Sequence, residues 1–385
     1  MSTRALAVAC ALSLAAALTV RAAGPSDDPA HGFDTAAAAR YLDARMDLWW
    51  TKAKPLKSPG GDTKCLSCHT AIPYALARPA LRKAMGVAAA TAHETTILNT
   101  VRTRMAHLDD QQPFYDHTDD KKIESRGVEA VMNAFLLTSH DLDTGATAPS
   151  AVTQQALARL WAVQRADGAW DWLNFGLEPY ETSDAVFHGA TVAAMAAGSA
   201  TGRAASATEA GQAGVRKLRA YLSDHASAQR LFNRTWALLA SSRLSGVLSA
   251  AQREAVVRDL AAAQRPDGGW SLADLGEWRW SKDAGPYAAP GATDAARLSV
   301  SDAYATGLVV YAMKQAGLGA RPAVQKGLTW LRTNQQAMRA GDESWAPWRA
   351  HSLNFDREHG GDKGEPWRRM FMSDLATAFA VLALL

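Results

Sequence analysis

The chain has 385 residues and a formal net charge of +3. Its Lys and Arg residues are scattered among Asp and Glu, so no basic stripe indicates a nucleic-acid-binding protein. With 48% hydrophobic residues it can bury one large core or two smaller ones. Beyond the N-terminal segment, no apolar run is both long enough and free enough of charge to span a bilayer.

The first 22 residues predict a secretory signal peptide. Arg4 precedes an apolar stretch over residues 5–20, and Val20-Arg21-Ala22 offers a small-residue cleavage site. Residues 23–35 are expected to form a flexible segment, and residues 36–385 a single folded domain. The sequence therefore predicts an exported protein, located in the periplasm of a bacterium and without a transmembrane segment in its mature form.

The run Cys65-Leu66-Ser67-Cys68-His69 has the pattern that attaches c-type haem. Each thiol adds across one haem vinyl group, and the adjacent imidazole then coordinates the iron. A thioredoxin-like redox pair requires a βαβ surround, and a zinc ribbon requires a second thiol pair. Apart from Cys10 in the predicted signal peptide, the chain has no other cysteine. We therefore expect one covalent haem c, with Cys65 and Cys68 as attachment points and His69 as the proximal iron ligand.

Internal repeats dominate the rest of the chain. A Gln-x-x-Asp-Gly-x-Trp motif ends one amphipathic helix near residue 164 and another near residue 264. After each motif comes a loop and then an apolar helix that begins with Ser-Asp, a sequence that caps free helix amides. A degenerate third copy is expected from Gln336 to Trp345. The repeated residues are Gln164, Asp167, Gly168 and Trp170, matched by Gln264, Asp267, Gly268 and Trp270.

Alternation of half-exposed and fully apolar helices predicts an all-α fold, a double ring of about six helix pairs or (α/α)6 toroid, with no strands. Outer helices are expected at 36–52, 95–108, 152–164, 211–225, 250–264 and 323–335. Their inner partners are expected at 68–85, 127–139, 183–198, 232–242, 301–317 and 373–385. Pro73 and Pro79 predict a short or kinked first inner helix, and residues 119–122 (Asp-Asp-Lys-Lys) predict a solvated turn.

The two Gln-Trp motifs resemble those of the squalene–hopene cyclase and prenyltransferase toroid superfamily. The resemblance covers most of residues 36–385 and implies that Gln164, Trp170, Gln264 and Trp270 tie neighbouring outer helices together. It implies little about the reaction. Class II cyclases of this fold use an Asp-x-Asp-Asp motif, and the nearest segments here, which contain Asp184 and Asp302, each offer one Asp. Polyene cyclisation is therefore disfavoured.

The predicted topology gathers the outer-to-inner loops on one rim. The haem site should lie on this rim together with Asp184, Asp302 and Asp374. Asp302 and Asp374 are also expected to border a cavity that opens there. Long aromatic loops at 171–182, 271–300 and 346–372 look like a lid over a cavity. They contain Trp172, Tyr180, Trp278, Trp280, Tyr287, Trp348 and Trp367.

The distal side of the iron is left open by the sequence. His188 lies one turn after Asp184, so both should project from one helix face as a catalytic acid–base pair, or His188 could be an iron ligand. A hydrogen-bonded core histidine is the alternative. Other candidate ligands are His117, His351, His359, Met370 and Met372.

Two functions remain open at this stage. One is a haem redox protein that exchanges electrons with a periplasmic partner. The other is a haem oxidoreductase or sensor that binds an apolar, isoprenoid-like small molecule, with a terpene cyclase-like enzyme as a less favoured third.

Overall fold

The helices of the chain alternate between an outer and an inner ring. A computed structural model describes residues 31–278, 292–339, 342, 345–354 and 366–385; the predicted signal peptide and most of the predicted flexible segment lie outside these ranges. The helices in chain order are α1 (Thr35–Lys52), α2 (Ala71–Ala84), α3 (Ala92–Ala106), α4 (Asp119–Thr144), α5 (Ala151–Ala162), α6 (Ala185–Gly198), α7 (Ala200–Ala205), α8 (Glu209–His225), α9 (Leu231–Ser241), α10 (Ala250–Ala262), α11 (Ala292–Leu298), α12 (Ala303–Gln315), α13 (Pro322–Thr333) and α14 (Phe371–Leu384).

The inner ring closes on itself. Helix α2 packs against α4, then α4 against α6, α6 against α9, α9 against α12, α12 against α14, and α14 back against α2. The outer helices α1, α3, α5, α8, α10 and α13 surround them. Inner helices such as α6 and α14 are buried along almost their whole length, as their apolar sequences require. The all-α toroid predicted from the sequence is therefore the observed fold.

Three local features differ from prediction. Helix α4 begins at Asp119 rather than near residue 127, because the Thr118 side chain accepts a hydrogen bond from Lys121 N and caps the helix. Residues 119–122, expected to form a solvated turn, are the first turn of this helix. Helix α2 begins at Ala71 rather than at residue 68, and it continues through Pro79 to Ala84. A short antiparallel hairpin, β1 (Pro55–Leu56) with β2 (Thr63–Lys64), was not expected from the sequence and leads directly into the Cys65–His69 run.

The glutamines of the two repeats join consecutive outer helices. Gln164 Nε2 donates to the carbonyl of Gly168 at 2.9 Å and to that of Gly214, in α8, at 3.1 Å. Gln264 Nε2 donates to Gly268 O at 2.8 Å and to Ala323 O, in α13, at 2.8 Å. The same side chain therefore makes the same two bonds a hundred residues apart, one within its own turn and one to the next outer helix.

The tryptophans of the repeats fix each turn onto the helix before it. Trp170 Nε1 donates to Leu160 O at 2.9 Å, and Trp270 Nε1 donates to Leu260 O at 2.8 Å. Both indoles are fully buried. The intervening Gly168 has φ +98°, a left-handed conformation that a side chain would strain, which explains the glycine of the motif.

A third copy closes the outer ring, in a register different from the predicted one. Gln335, not Gln336, bonds the next outer helix: its Nε2 donates to Asp34 O at 3.0 Å, and its Oε1 accepts from Asp34 N at 2.7 Å. Trp348, not Trp345, donates through Nε1 to Leu331 O at 2.9 Å. The Gln-to-Trp spacing is thirteen residues here against six in the other copies, so the spacing of the other copies does not locate this tryptophan.

Aromatic side chains fill the centre of the inner ring. The rings of Tyr304 and Phe379 lie with centroids 5.5 Å apart, and Trp236 meets Phe379 edge-on at 5.5 Å. Phe232 packs beside Tyr304 at 6.2 Å. The lumen that this fold could enclose is thus occupied by the protein's own side chains. Among the described helices, none combines the length and the apolar character needed to cross a bilayer.

Candidate functional site

The Cys65–His69 run lies between strand β2 and the start of α2. Ser67 Oγ accepts from the amides of Thr70 and Ala71, at 3.0 Å each, and so holds the run against the first turn of the helix. Trp49 Nε1 donates to Cys65 O at 2.9 Å and fixes the other end. Leu66 and Ser67 are buried, whereas Cys65, Cys68 and His69, each taken as a whole residue, are partly exposed. The run therefore presents the side chains of Cys65, Cys68 and His69 from a tightly anchored backbone.

Both thiols are free, and their surroundings favour the protonated form. Burial raises the pKa of Cys65 to about 12 and that of Cys68 well above its ordinary value, and the nearby Glu181 carboxylate acts in the same direction. Among the described residues, no three His, Cys, Asp or Glu side chains converge where they could hold a metal ion. Within the described part of the chain, the two thiols therefore have no further ligands arranged beside them for a zinc ion.

Ring contacts and a hydrogen bond to Thr70 hold the His69 imidazole. Its imidazole stacks on the Phe371 ring with centroids 3.5 Å apart and meets Trp49 edge-on at 5.9 Å. Its Nδ1 lies 3.3 Å from Thr70 Oγ1, and that hydroxyl donates to Asp374 Oδ2 at 2.7 Å. The orientation of the imidazole is thus set by residues from both ends of the chain.

The sequence suggested that Asp374 lies at the rim of a cavity. The structure instead buries this carboxylate in a set of hydrogen bonds. Its Oδ1 accepts from Arg45 Nε at 2.6 Å and from Tyr41 OH at 2.7 Å, and its Oδ2 accepts from Arg45 Nη2 at 3.1 Å. Burial raises the pKa of Asp374, while Arg45 and the hydroxyls oppose that effect. A buried carboxylate requires such complete pairing.

Two small cavities lie beside these residues. One is lined by His69, residues 177–181, Phe371 and Met372, and the other by Cys68, Tyr180, His188 and Trp236. Each has a volume of about 20 Å³, room for one or two water molecules. Pockets for small-molecule ligands have about 300–1,000 Å³.

His188 is a core residue of α6. It is 2% exposed and lies among Trp172, Tyr180 and Trp236, the last with ring centroids 4.6 Å away. Burial lowers its pKa to about 3, so the imidazole is neutral at physiological pH. Its Nδ1 is buried without a hydrogen-bond partner, unlike the bonded core histidine considered from the sequence.

Asp184 has different surroundings from His188, although one helical turn separates them in sequence. Its half-exposed carboxylate pairs with Arg230, which also binds Glu178 at 2.9 Å and lies over the Trp278 ring at 4.6 Å. Asp184 faces an open, polar cleft of about 650 Å³ that Arg230, Asp274 and Glu277 also line. The structure therefore does not gather Asp184 and His188 into one acid–base site.

Asp302 caps α12. Its Oδ1 accepts from Ala305 N at 2.8 Å and its Oδ2 from Leu272 N at 2.5 Å. Burial raises the pKa of Asp302 to about 6, an effect that these amides and the nearby His351 partly offset. Its bonds join the rim loop to the helix start, which is a structural role.

The other sequence candidates for the distal side of the iron do not lie together in one site. His117 is exposed, whereas Met370 and Met372 are buried and only Met372 lines the cavity next to His69. Trp280, Tyr287 and His359 lie outside the described residues. Of the residues expected in an aromatic lid, Trp172, Trp278 and Trp348 instead pack into the protein and are at most 3% exposed, whereas Trp367 is half-buried.

Three residues of α1 that belong to the site were missed from the sequence. Tyr41, Arg45 and Trp49 follow one another at four-residue intervals on α1, so they form one stripe that faces Asp374 and His69. An arginine and a tyrosine in such a stripe, on a helix otherwise rich in alanine, are a signal for a buried acidic partner. The identity of that partner is not encoded locally.

Comparison with solved structures shows a likeness in fold. A structure of an unsaturated glucuronyl hydrolase, whose title also names the saccharide dGlcA-Glc-Rha-Glc, matches with a TM-score of 0.50 and 13% sequence identity. The match covers 91% of this chain and 95% of that chain. That protein is an α/α toroid, so the likeness supports the same architecture here and no particular activity. No protein-family model matches the chain, and no significant match is found among curated proteins.

Proposed function

We propose that this chain is a periplasmic c-type haem protein, in which Cys65 and Cys68 carry the porphyrin and His69 binds the iron. The observation that carries the proposal is the His69 environment: a Cys-x-x-Cys-His run whose imidazole Nδ1 is anchored through Thr70 to a buried carboxylate. Metal-bound histidines usually donate their second ring nitrogen to such a partner. Both thiols are free, as covalent attachment to the porphyrin requires.

The donor set fits the group, whereas the space beside it is filled. Phe371 stacks on His69, and residues 177–181 line a cavity of only about 20 Å³ next to it. A bound porphyrin therefore requires Phe371 and this rim segment to lie farther from His69. Haem iron held in this way supplies a one-electron redox centre.

Electron transfer to a periplasmic partner is the activity that the architecture supports best. Among the described residues, Phe232, Trp236, Tyr304 and Phe379 fill the lumen where a polyene or another sizeable apolar substrate would bind. Asp184, the acid nearest to a cyclase position, is paired with Arg230 and faces solvent rather than the lumen. The chain's own contribution is then to hold His69 and to exclude water from its Nδ1 side.

A sensor or oxidoreductase for a small apolar molecule is the second candidate. It is favoured by one observation: the cavity beside Cys68 is lined by neutral His188 and otherwise mainly by apolar side chains. Only a very small molecule could enter it without movement of the rim.

Covalent haem is tested by expressing the full chain with a c-type cytochrome maturation system. We expect haem staining on a denaturing gel and a pyridine haemochrome spectrum for the wild type, and neither for the Cys65→Ala/Cys68→Ala variant. His69→Ala should alter the iron spectrum, whereas His225→Ala, an exposed histidine of α8, should not. A colourless wild type, or a double variant that stains like it, would contradict the proposal.

The visible spectrum of the reduced protein separates the two candidates. A six-coordinate spectrum unchanged by carbon monoxide supports electron transfer. Rapid binding of carbon monoxide supports the sensor or oxidoreductase.

A further inference from the structure

An open groove follows one face of helix α10. Residues 250, 253, 254, 257, 258 and 261 of this helix line the groove, and their spacing places them on a single helical face. Met313 and Leu318, together with the first residues of α13, line the remainder. We call this feature the α10 groove; it has a volume of about 560 Å³ and mainly apolar walls.

The two repeats can be compared position by position around this groove. Their glutamine and tryptophan bonds fall at positions 164 and 170 in the first repeat and at 264 and 270 in the second. Leu157 and Trp161 of α5 therefore correspond to Val257 and Ala261 of α10. The first two are buried, at 0% and 8% exposure, whereas Val257 is half-buried and Ala261 is exposed. The same helix face is thus covered in one repeat and uncovered in the other.

A short helix of the chain itself helps to cover this face in the first repeat. Helix α7 packs against α5. Trp161 Nε1 donates to Oγ of Ser206, the residue that ends α7, at 3.2 Å. Five of the six residues of α7 are Ala, Thr or Gly, so its backbone can lie close to α5.

The second repeat has a shorter connection at the same point. Sixteen residues separate Gly198, the end of α6, from Gly214, whose carbonyl accepts the glutamine bond. Only eight separate Gln315, the end of α12, from the corresponding Ala323. Residues 316–321, all of which the structure describes, contain no helix. The second repeat therefore lacks a counterpart of α7, and the α10 groove lies along the face that such a helix would cover.

Positive charge exceeds negative charge along the groove. Its lining includes Arg253, Arg258 and Arg321 against one acid, Glu254, and all four residues are exposed. Arg258 pairs with Asp259 at 3.0 Å, and Arg253 donates to a carbonyl at the end of α12. A ligand with carboxylates beside its apolar face would match this lining, because guanidinium groups bind carboxylates strongly.

We propose that the α10 groove binds a short amphipathic helix of a partner protein, which takes the place that α7 has in the first repeat. The small apolar residues of that helix would lie on Val257 and Ala261, and its carboxylates would meet Arg253 and Arg321. Helices commonly bind in this way, with the apolar face in a groove and charged residues at the edges. The docking site is independent of the proposed haem function.

The test measures binding of a synthetic peptide to the purified full chain by fluorescence anisotropy. The acidic probe is an alanine-rich peptide of about 12 residues, which matches the length of the α10 face. It has a leucine stripe flanked by glutamates, and a hydrocarbon staple on its other side keeps it helical. The matched basic probe has lysine in place of every glutamate. We expect the acidic probe to bind and the basic probe not to bind.

Two neighbouring alanines of α10 provide the variants. Ala261→Trp fills the groove with the side chain that the first repeat has at this position, and should weaken binding of the acidic probe by about tenfold or more. Ala262→Trp, at an exposed residue outside the lining, should change binding by less than about twofold. Arg321→Gln should weaken binding and reduce its dependence on salt.

Three results would overturn the proposal. They are an acidic probe that does not bind, equal binding of the two probes, and equal binding of the acidic probe to wild type and Ala261→Trp. Self-association of the full chain in analytical ultracentrifugation, abolished by Ala261→Trp, would assign the groove to a second copy and would also overturn it.

Discussion

Acid stability provides a direct test of the aromatic environment of His188. In the folded protein burial lowers the pKa of this imidazole from 6.5 to about 3. Below pH 6.5 the unfolded chain therefore takes up a proton that the folded chain does not. The stabilising contribution of the neutral imidazole is complete above pH 6.5 and is lost as the pH falls towards 3.

The magnitude follows from linkage. Each pH unit in this window changes the free energy of unfolding by about 1.4 kcal/mol for one proton. Between pH 6 and pH 4, His188 should lower the free energy of unfolding by about 2.5 kcal/mol, because its unfolded form is already partly protonated at pH 6. His188→Leu removes this proton uptake and keeps an apolar side chain of similar size.

The assay is urea unfolding followed by circular dichroism at several pH values from 4 to 7. The difference in free energy of unfolding between wild type and His188→Leu should shift by about 2.5 kcal/mol in favour of the variant as the pH falls from 6 to 4. Val192→Ala, which affects a buried residue lining the same cavity, should change stability by a constant amount. Parallel curves for wild type and His188→Leu would refute the reasoning.

Two further predictions concern the joints of the ring and are measured by the same urea unfolding. Gln335→Ala removes both hydrogen bonds to Asp34 and should lower the free energy of unfolding by about 2 kcal/mol. The control Gln154→Ala loses one exposed hydrogen bond to Pro149 and should have a much smaller effect. Equal losses of stability in the two variants would contradict the role of Gln335 in closing the outer ring. Gly189→Ala would place a Cβ 2.3 Å from Trp172 Cε3. This overpacking should lower the free energy of unfolding by about 1–3 kcal/mol. Gly319→Ala is the control, because the atom nearest to its new Cβ would be Lys314 Cγ at 3.8 Å. If the Gly189→Ala variant is as stable as the Gly319→Ala variant, the Trp172 ring can move aside and the prediction is wrong.

The helices and their ring arrangement were predictable because both are encoded locally. Helical periodicity and the paired Gln-Trp motifs identified the six inner and six outer helices, although not the start of α4. The third motif failed because a longer turn separates Gln335 from Trp348, and spacing alone does not reveal which indole returns to Leu331.

The site was less predictable, since its partners are far apart in the chain. Cys65, Cys68 and His69 are recognisable from a five-residue pattern. Asp374 reaches Thr70 only because the last inner helix packs against the first, a contact that no local signal encodes. The pairing of His188 with Asp184 failed for a related reason: Arg230 draws the carboxylate outwards, while the imidazole enters the core.

The Gln335–Asp34 joint means that this double ring has no terminal repeat. In an open helical array the end units have one neighbour and fray first, so such proteins unfold in stages. In this closed ring each helix pair has a neighbouring pair on both sides, so the unfolding of one pair opens the ring. We expect hydrogen exchange to be comparably slow in the first and last inner helices, with no gradient of protection from the middle of the chain to its ends.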